Sequence, residues 1–179
     1  MQRLEKLSPE TAPEGAKPIL AELGAKGPLK NIFLAMANSP SAFEGYLAMS
    51  RALGKGTLGN KSREAIALFL AHRNQCDYCN AAHTFLAKQL RYEDSQISAF
   101  RRGEAAGDAK VDAAVRFARV LVETLHHGPS DHELEAARAA GLTDGELLEI
   151  ACCVCLNFFT NFVNHINHTE IDWPIPAEH

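Results

Sequence analysis

The stretch EAIALFLAHRNQCDYCNAAH, residues 64–83, decides the fold of this chain. Helix-forming residues precede and follow Asn74-Gln75, which interrupts them. As one continuous helix, the stretch would hold Glu64 and Cys79 roughly 22 Å apart, at 1.5 Å per residue. The carboxylate of Glu64 can therefore reach Cys79 and His83 only if the chain folds back. We therefore predict a helical hairpin with its turn near Asn74-Gln75.

The same stretch carries four candidate catalytic residues. Cys76 and Cys79 are three residues apart and can close a disulfide within one helical turn. His83, four residues beyond Cys79, lies on the same helix face, and Glu64 could hold this histidine and carry its proton. A nucleophile, a resolving thiol, a base and an orienting carboxylate are the parts of a thiol redox site.

The position of the thiols at a helix start predicts a reactive cysteine. The thiolate is the attacking form, and an ordinary cysteine with a pKa of about 8.5 is only slightly ionised near neutral pH. Free N–H groups and the helix dipole favour a negative charge at a helix N-terminus. This general argument makes Cys76 the more acidic thiol, while His83 can accept a proton from Cys79.

Outside this stretch too, helix-favouring residues dominate the chain, and no segment shows the alternation of apolar and polar residues that is typical of a strand. Ser8-Pro9-Glu10 and Ser39-Pro40 are typical helix starts, and Thr143 with Glu146 forms a predicted capping box for the last helix. We predict a single all-α domain over residues 1–179. A shift of 82 carries Glu64 onto Glu146, so residues 138–170 are a candidate degenerate second copy of the core motif region 56–90. The same shift carries Cys79 onto Asn161 and His83 onto His165.

Composition limits the classes of function. The chain has 179 residues, 46% of them hydrophobic and 22% charged, and a net charge of -4. These values are typical of a globular protein and give no basic surface for nucleic acid. Residues 147–163 are the most apolar stretch, but Glu149, Asn157 and Asn161 interrupt it, which predicts a buried helix and no membrane span. Five cysteines without a secretory signal predict a reducing cytoplasm.

Other readings of the cysteines and histidines stay open at this point. A zinc site needs a fourth ligand beyond Cys76, Cys79 and His83. The candidates His72, Cys152 and Cys155 lie at a distance from these three, and no second Cys or His pair has the spacing of a zinc finger. The pair could also be two buried structural cysteines. The second cluster, Cys152-Cys153-Val154-Cys155, is predicted to be buried because it lies inside an apolar helix, and it is not a candidate redox site because Phe159 stands where a base would follow. Further candidates for a pocket are Tyr78, Asn161 and His165.

The motif residues resemble the AhpD-like (alkylhydroperoxidase) branch of the carboxymuconolactone decarboxylase superfamily, in its peroxidase-related type. The spacing E-x11-C-x2-C-x3-H from Glu64 to His83 carries the resemblance. Supporting segments are Gly27-Pro28-Leu29-Lys30-Asn31-Ile32, Ala140-Gly141-Leu142-Thr143-Asp144 and the ending Asp172-Trp173-Pro174. One departure is Tyr78, which stands where the best-studied type has a histidine.

The resemblance implies a multihelical bundle of packed helical hairpins, assembled as a homo-oligomer of three or six chains. It implies a thiol-dependent alkylhydroperoxidase or disulfide oxidoreductase with no metal and no organic cofactor. Cys79 would be the peroxidatic thiol and Cys76 its resolving partner, with His83 and Glu64 as a proton relay. The partners would be a hydroperoxide or disulfide substrate and an external dithiol reductant of lipoyl or thioredoxin-like type.

Our hypothesis is a cytoplasmic antioxidant enzyme. The alternatives are a non-enzymatic redox-sensing or stress-response oligomer and, after it, a zinc-binding helical protein. The sequence gives no substrate identity and no subunit number.

Overall fold

A computed structural model describes residues 2–175, which form nine helices and no strand. The all-α prediction is therefore confirmed for this part of the chain. The helices, in chain order, are α1 (Lys17–Gly24), α2 (Asn31–Met36), α3 (Pro40–Leu53), α4 (Gly59–Arg73), α5 (Asp77–Gln89), α6 (Asp94–Arg101), α7 (Ala109–Glu123), α8 (Asp131–Ala139) and α9 (Asp144–Asn167).

Helix α4 is the centre of the fold. Residues 65–71 are all buried, and α4 packs against α5, α6, α7 and α9. A helix that is apolar on every side must be enclosed by others, and the run AIALFLA has this character. Glu64 stands one residue before the enclosed run, where the helix reaches the edge of the core.

The predicted hairpin is present, and its turn has a defined geometry. Helix α4 ends at Arg73, and Gln75 has a positive φ of 53°. The N–H of Cys76 donates to the carbonyl of Ala71 at 2.9 Å, and the N–H of Gln75 donates to that of His72 at 3.0 Å. These two bonds form a Schellman motif, which ends one helix and redirects the chain into the next.

The predicted helix start at Ser8-Pro9-Glu10 is wrong. Residues 8–16 form turns, and α1 begins only at Lys17. The Ser8 hydroxyl accepts from the N–H groups of Glu10 and Thr11, as a helix cap would. Pro13 then follows five residues after Ser8 and has no N–H to continue a helix. The local capping signal therefore closes a turn. The other two predicted helix starts are confirmed, since Ser39 caps α3 and Thr143 with Glu146 forms a capping box on α9.

Helix α9 is long and apolar enough to cross a membrane by length and composition alone. In this fold it packs against α2, α3, α4, α5 and α7, and it buries the polar side chains of Glu146, Asn157, Asn161 and Asn164. These contacts are those of a core helix. It is unbroken over 24 residues, so the fold-back between α4 and α5 has no counterpart in residues 138–170.

Only one face of α9 is buried, which corrects the prediction for the second cysteine cluster. Cys153 is buried, but Cys152 and Cys155 are exposed. Positions 152 and 155 lie on the face opposite Cys153 and Asn157 because side chains three or four apart share a helix face. The sequence showed an apolar helix but not which side of it would meet the core.

Candidate active site

The two motif cysteines form a disulfide at the start of α5. Cys76 is the N-cap residue of this helix, and its sulfur accepts from the N–H of Cys79 at 3.3 Å. Both residues are buried, with exposed fractions of 2% for Cys76 and 3% for Cys79. The Schellman turn fixes the direction of the chain into α5, so the site is held by backbone geometry.

Glu64 and His83 meet across the hairpin. The Nδ1 atom of His83 lies 2.6 Å from Oε1 of Glu64, and the side chains are 21% and 14% exposed, respectively. The prediction that the fold-back brings these two residues together is confirmed. The carboxylate fixes the orientation of the imidazole, as in other carboxylate–histidine pairs, and leaves Nε2 for another partner.

Two amides of α9 donate to the sulfur of Cys79. The Nδ2 atoms of Asn161 and Asn164 lie 3.0 Å and 3.3 Å from this sulfur. Asn74, in the hairpin turn, donates to Oδ1 of Asn161 at 2.7 Å and so orients its amide toward Cys79. Donors aimed at a sulfur stabilise its thiolate once the disulfide opens. The sequence reading included Asn161 as a pocket candidate but missed the role of Asn164.

A cavity of about 310 Å³ adjoins Cys79, and we name it the Cys79 cavity. Glu64 and His83 line it together with Cys79, whereas Cys76 does not. Most of its remaining wall is apolar, with the cations of Lys30 and Arg63 among the exceptions; the apolar residues include Ile32, Phe33, Leu53, Leu86, Leu156 and Trp173. The nucleophile and the base of the predicted site thus share one largely apolar chamber.

A second cavity, of about 340 Å³, adjoins the other sulfur, and we name it the Cys76 cavity. Its lining is mostly polar and includes Gln75, Asp77, His165, His168 and Thr169. His165, a pocket candidate from the sequence, lies here and not in the Cys79 cavity, and its Nε2 atom is 2.9 Å from the carbonyl oxygen of Asn74. Tyr78 and Asn164 line both cavities, so the two chambers flank the disulfide.

The comparisons with known proteins agree with this architecture. The model of the carboxymuconolactone decarboxylase family matches residues 40–122, a range that contains the whole α4–α5 hairpin. The chain is thus similar to this family over a little under half of its length, in the segment that carries both motif cysteines. No curated protein matches the sequence closely enough to count as a relative.

Two crystal structures show that the fold of this chain is AhpD-like. One is a peroxidase-related protein with an alkylhydroperoxidase AhpD core from Ralstonia eutropha JMP134, with 23% identity and a TM-score of 0.84 over 96% of this chain and 92% of that one. The other is a peroxidase-related protein from Silicibacter sp. TM1040, with 23% identity and a TM-score of 0.78 over 98% and 91% of the two chains.

Tyr78, which stands between the two motif cysteines, connects them to the C-terminal segment. Its hydroxyl donates to Asp172 at 2.6 Å, and the same carboxylate oxygen accepts from the N–H of Asn31 at the start of α2. Burial and then the Asp172 carboxylate raise the pKa of the Tyr78 hydroxyl well above its ordinary value. The phenol therefore remains protonated and acts as a structural donor. Trp173 packs edge-on against its ring, with centroids 5.4 Å apart.

Cys153 also lines the Cys79 cavity. Burial raises the pKa of its thiol to about 12, so it remains a thiol near neutral pH. A protonated thiol is neither a strong nucleophile nor a metal ligand. Within residues 2–175, no group of three His, Cys, Asp or Glu side chains is arranged to hold a metal ion. In the described part of the chain, the zinc alternative therefore has no ligand set to support it.

Proposed function

We propose that this protein is a thiol-dependent alkylhydroperoxidase that oxidises its Cys76–Cys79 pair in each cycle. One observation carries the proposal: Cys79 shares a cavity with the Glu64–His83 pair while two amides donate to its sulfur. A thiolate, a proton carrier and a chamber for a small substrate are thereby placed together, as this chemistry requires.

The proposed oxidation has two steps. The Cys79 thiolate attacks the terminal oxygen of a hydroperoxide, the O–O bond breaks, and the alkoxide leaves as an alcohol with a proton supplied through His83. The Cys79 sulfenic acid then reacts with the Cys76 thiolate, which forms the disulfide and releases the oxygen as water. The hydroperoxide gains two electrons, and the two thiols lose them. Glu64 holds the imidazole and stabilises its charged form.

The walls of the Cys79 cavity favour an organic hydroperoxide. Apolar side chains gain from contact with an alkyl or aryl group, at about 25 cal/mol per Å² of apolar surface removed from water. Hydrogen peroxide offers no such surface. A volume of about 310 Å³ is at the lower end of the range for ligand pockets, which suits a compact substrate.

The first test is stoichiometric oxidation of the reduced protein by one equivalent of cumene hydroperoxide. We expect rapid loss of two thiols, a mass lower by two hydrogens and a Cys76–Cys79 disulfide on peptide mapping. His83→Ala and Glu64→Gln should slow this oxidation by about 10²-fold, the usual size of a general acid–base contribution. Oxidation at the wild-type rate in a Cys76→Ala, Cys79→Ala double variant would refute the proposal.

Turnover separates an enzyme from a redox sensor. With excess dithiothreitol, an enzyme consumes many equivalents of hydroperoxide at a rate far above that of dithiothreitol alone, whereas a sensor, which reacts and is reduced slowly, adds little to that rate. We propose that the natural reductant is an external dithiol of lipoyl or thioredoxin-like type. A cytoplasmic location belongs to the same proposal, because the pair must be reduced again after each cycle.

We also propose that the protein is a homo-oligomer that associates through α9. Six residues spaced alternately by four and three form a stripe along α9: Leu148, Cys152, Cys155, Phe159, Phe162 and Ile166. All of them are exposed except Phe159, which is half-buried and stacks on Tyr46. Leu148, Phe162 and Ile166 are 71%, 57% and 56% exposed. The spacing is that of a helix pairing seam, and a stripe without charges is complementary to itself. A second copy of the chain is therefore its proposed partner.

A further inference from the structure

We infer that the Cys76 cavity is the entry site for a dithiol reductant and that Cys76 is the sulfur the reductant attacks. The inference rests on the proposed function, because it assigns the second half of that cycle. It divides the site into two chambers, with the oxidant entering beside Cys79 and the reductant entering beside Cys76.

The division follows from which residues line each cavity. Cys79 lines only the largely apolar chamber, and Cys76 lines only the polar chamber of about 340 Å³. Both sulfur-bearing residues are at least 97% buried, so a thiol reaches either sulfur only through a cavity. A thiol that enters past Gln75 and Asp77, both exposed at the hairpin turn, meets Cys76 first.

The chemistry favours the same direction of attack. A reductant thiolate forms a new S–S bond with Cys76, and the Cys76–Cys79 bond breaks with its electron pair going to Cys79. The second thiol of the reductant then attacks the reductant sulfur that is bound to Cys76. This step releases Cys76 as a thiolate and leaves the reductant as a disulfide. A better-stabilised thiolate leaves faster. Cys79 is the leaving group in this direction, and Asn161 and Asn164 already donate to its sulfur.

Polar groups around the Cys76 cavity suit an incoming thiol. The imidazoles of His165 and His168 are exposed at this chamber and can accept the proton that a thiol loses as it attacks. Asn164 is 5% exposed, and its Oδ1 atom accepts no hydrogen bond from any residue of the described chain. A polar dithiol is the class of ligand that fits these groups, in contrast to the apolar hydroperoxide of the other chamber.

The attacked sulfur can be identified by trapping. The protein is first fully oxidised to the Cys76–Cys79 disulfide, mixed with 2-mercaptoethanol and quenched at early times with N-ethylmaleimide. We expect the mercaptoethanol adduct on Cys76 and the maleimide on Cys79, in about tenfold excess over the reverse pattern. Adducts mainly on Cys79, or equally on both sulfurs, would overturn the inference.

Blocking the chamber tests access independently of trapping. Asp77→Phe adds bulk at the entrance and should slow reduction of the disulfide by dithiothreitol about tenfold, while oxidation by cumene hydroperoxide changes less than twofold. Asp77→Asn removes the same charge without the bulk and should speed reduction, because an anionic thiolate is repelled less. Gln89→Phe, on the exposed surface of the same helix, introduces the same ring away from both cavities and should change neither rate.

The outcomes separate this inference from the proposed function. Equal slowing of oxidation and reduction in Asp77→Phe, unaltered reduction in that variant, or slowed reduction in Asp77→Asn would each refute the reductant site. If no variant and no wild-type protein reacts with hydroperoxide, the peroxidase proposal fails. The adduct position and the dithiothreitol rates still decide which sulfur and which cavity a thiol uses, since both experiments begin from the disulfide.

Discussion

At Cys79, the hydrogen bonds to one sulfur atom bear on which of the two thiols attacks in the proposed reaction. The helix start favours Cys76, whose sulfur accepts one backbone N–H bond. Cys79 lies one turn farther along α5 but receives two side-chain amides from α9. Hydrogen bonds to a charged group contribute about 1.5–3 kcal/mol each, so two such donors compete with the helix dipole at 0.3–1 kcal/mol.

Asn161 substitutions test this balance. Asn161→Ala removes one donor and should raise the pKa of the reduced Cys79 thiol by about 1–2 units, since 1.36 kcal/mol corresponds to one unit. Asn161→Asp is nearly isosteric but places an acceptor and a charge beside the sulfur, so it should raise the pKa further. The pH dependence of Cys79 alkylation, followed by peptide mass, measures both variants. An unchanged profile in Asn161→Ala would show that the amide does not stabilise the thiolate.

The sequence allowed some site residues to be predicted and not others, for a physical reason. Glu64, Cys76, Cys79 and His83 lie within 20 residues, where helical period and one turn signal fix their relative positions. Asn161 and Asn164 reach the same sulfur from 82 and 85 residues away. Their contact depends on how α9 packs against the hairpin, and a local pattern contains no such information. The possible repeat with a shift of 82 residues aligned Asn161 with Cys79. It predicted equivalent positions in two copies of the motif, not a contact between the two residues.

At the scale of helices, the start of a helix was predictable where a capping residue is followed by residues that can continue the helix. Ser39 and Thr143 start helices as expected, because nothing within the next turn opposes them. Ser8 makes similar local bonds, but Pro13 prevents the helix from continuing. The exposed positions of Cys152 and Cys155 were not predictable, because an apolar helix looks the same from the sequence whether it meets the core or a second chain.

Glu149 links α9 to the start of the α4–α5 hairpin. Its carboxylate accepts from the N–H groups of Thr57 and Leu58 at 3.0 Å and 2.9 Å, just before α4 begins. A Cβ atom at Gly56 would collide with this carboxylate, so the close approach requires glycine. Burial acts to raise the pKa of Glu149, but the N–H donors outweigh it and hold the pKa below its ordinary value of 4.5.

This lowered pKa gives a pH-dependent prediction. A carboxyl whose pKa is lower in the folded state stabilises the fold above its unfolded value, about 4.5, and loses this contribution as the pH falls through the folded value. Glu149→Gln should therefore lower the free energy of unfolding by about 1–2 kcal/mol near neutral pH. The difference from wild type should shrink in acid. Urea unfolding at several pH values measures it, with Glu135→Gln on the exposed surface of α8 as control. A difference that stays constant in acid would contradict the assignment.

For the whole molecule, the outer stripe of α9 predicts the assembly state. Phe162→Glu places a charge in the proposed seam and removes an aromatic contact of about 1.5–3 kcal/mol per chain. Size-exclusion chromatography with light scattering should give the mass of three or six chains for wild type and a smaller species for the variant. Gln89→Glu introduces the same charge on α5 and should leave the mass unchanged. A monomeric wild-type protein would remove the basis for the proposed self-association.

The C-terminal segment gives the molecule an optical property. Trp173 is the only tryptophan of the chain, and it packs against Tyr78, which stands between the two cysteines. Opening the disulfide removes a covalent constraint from the first turn of α5, which contains Tyr78, and leaves thiols close to the Tyr78–Trp173 contact. The intrinsic fluorescence of Trp173 should therefore differ between the oxidised and reduced forms, and Trp173→Phe should abolish the difference. Stopped-flow fluorescence of Trp173 would then give the rates of oxidation and of reduction separately, without an added dye.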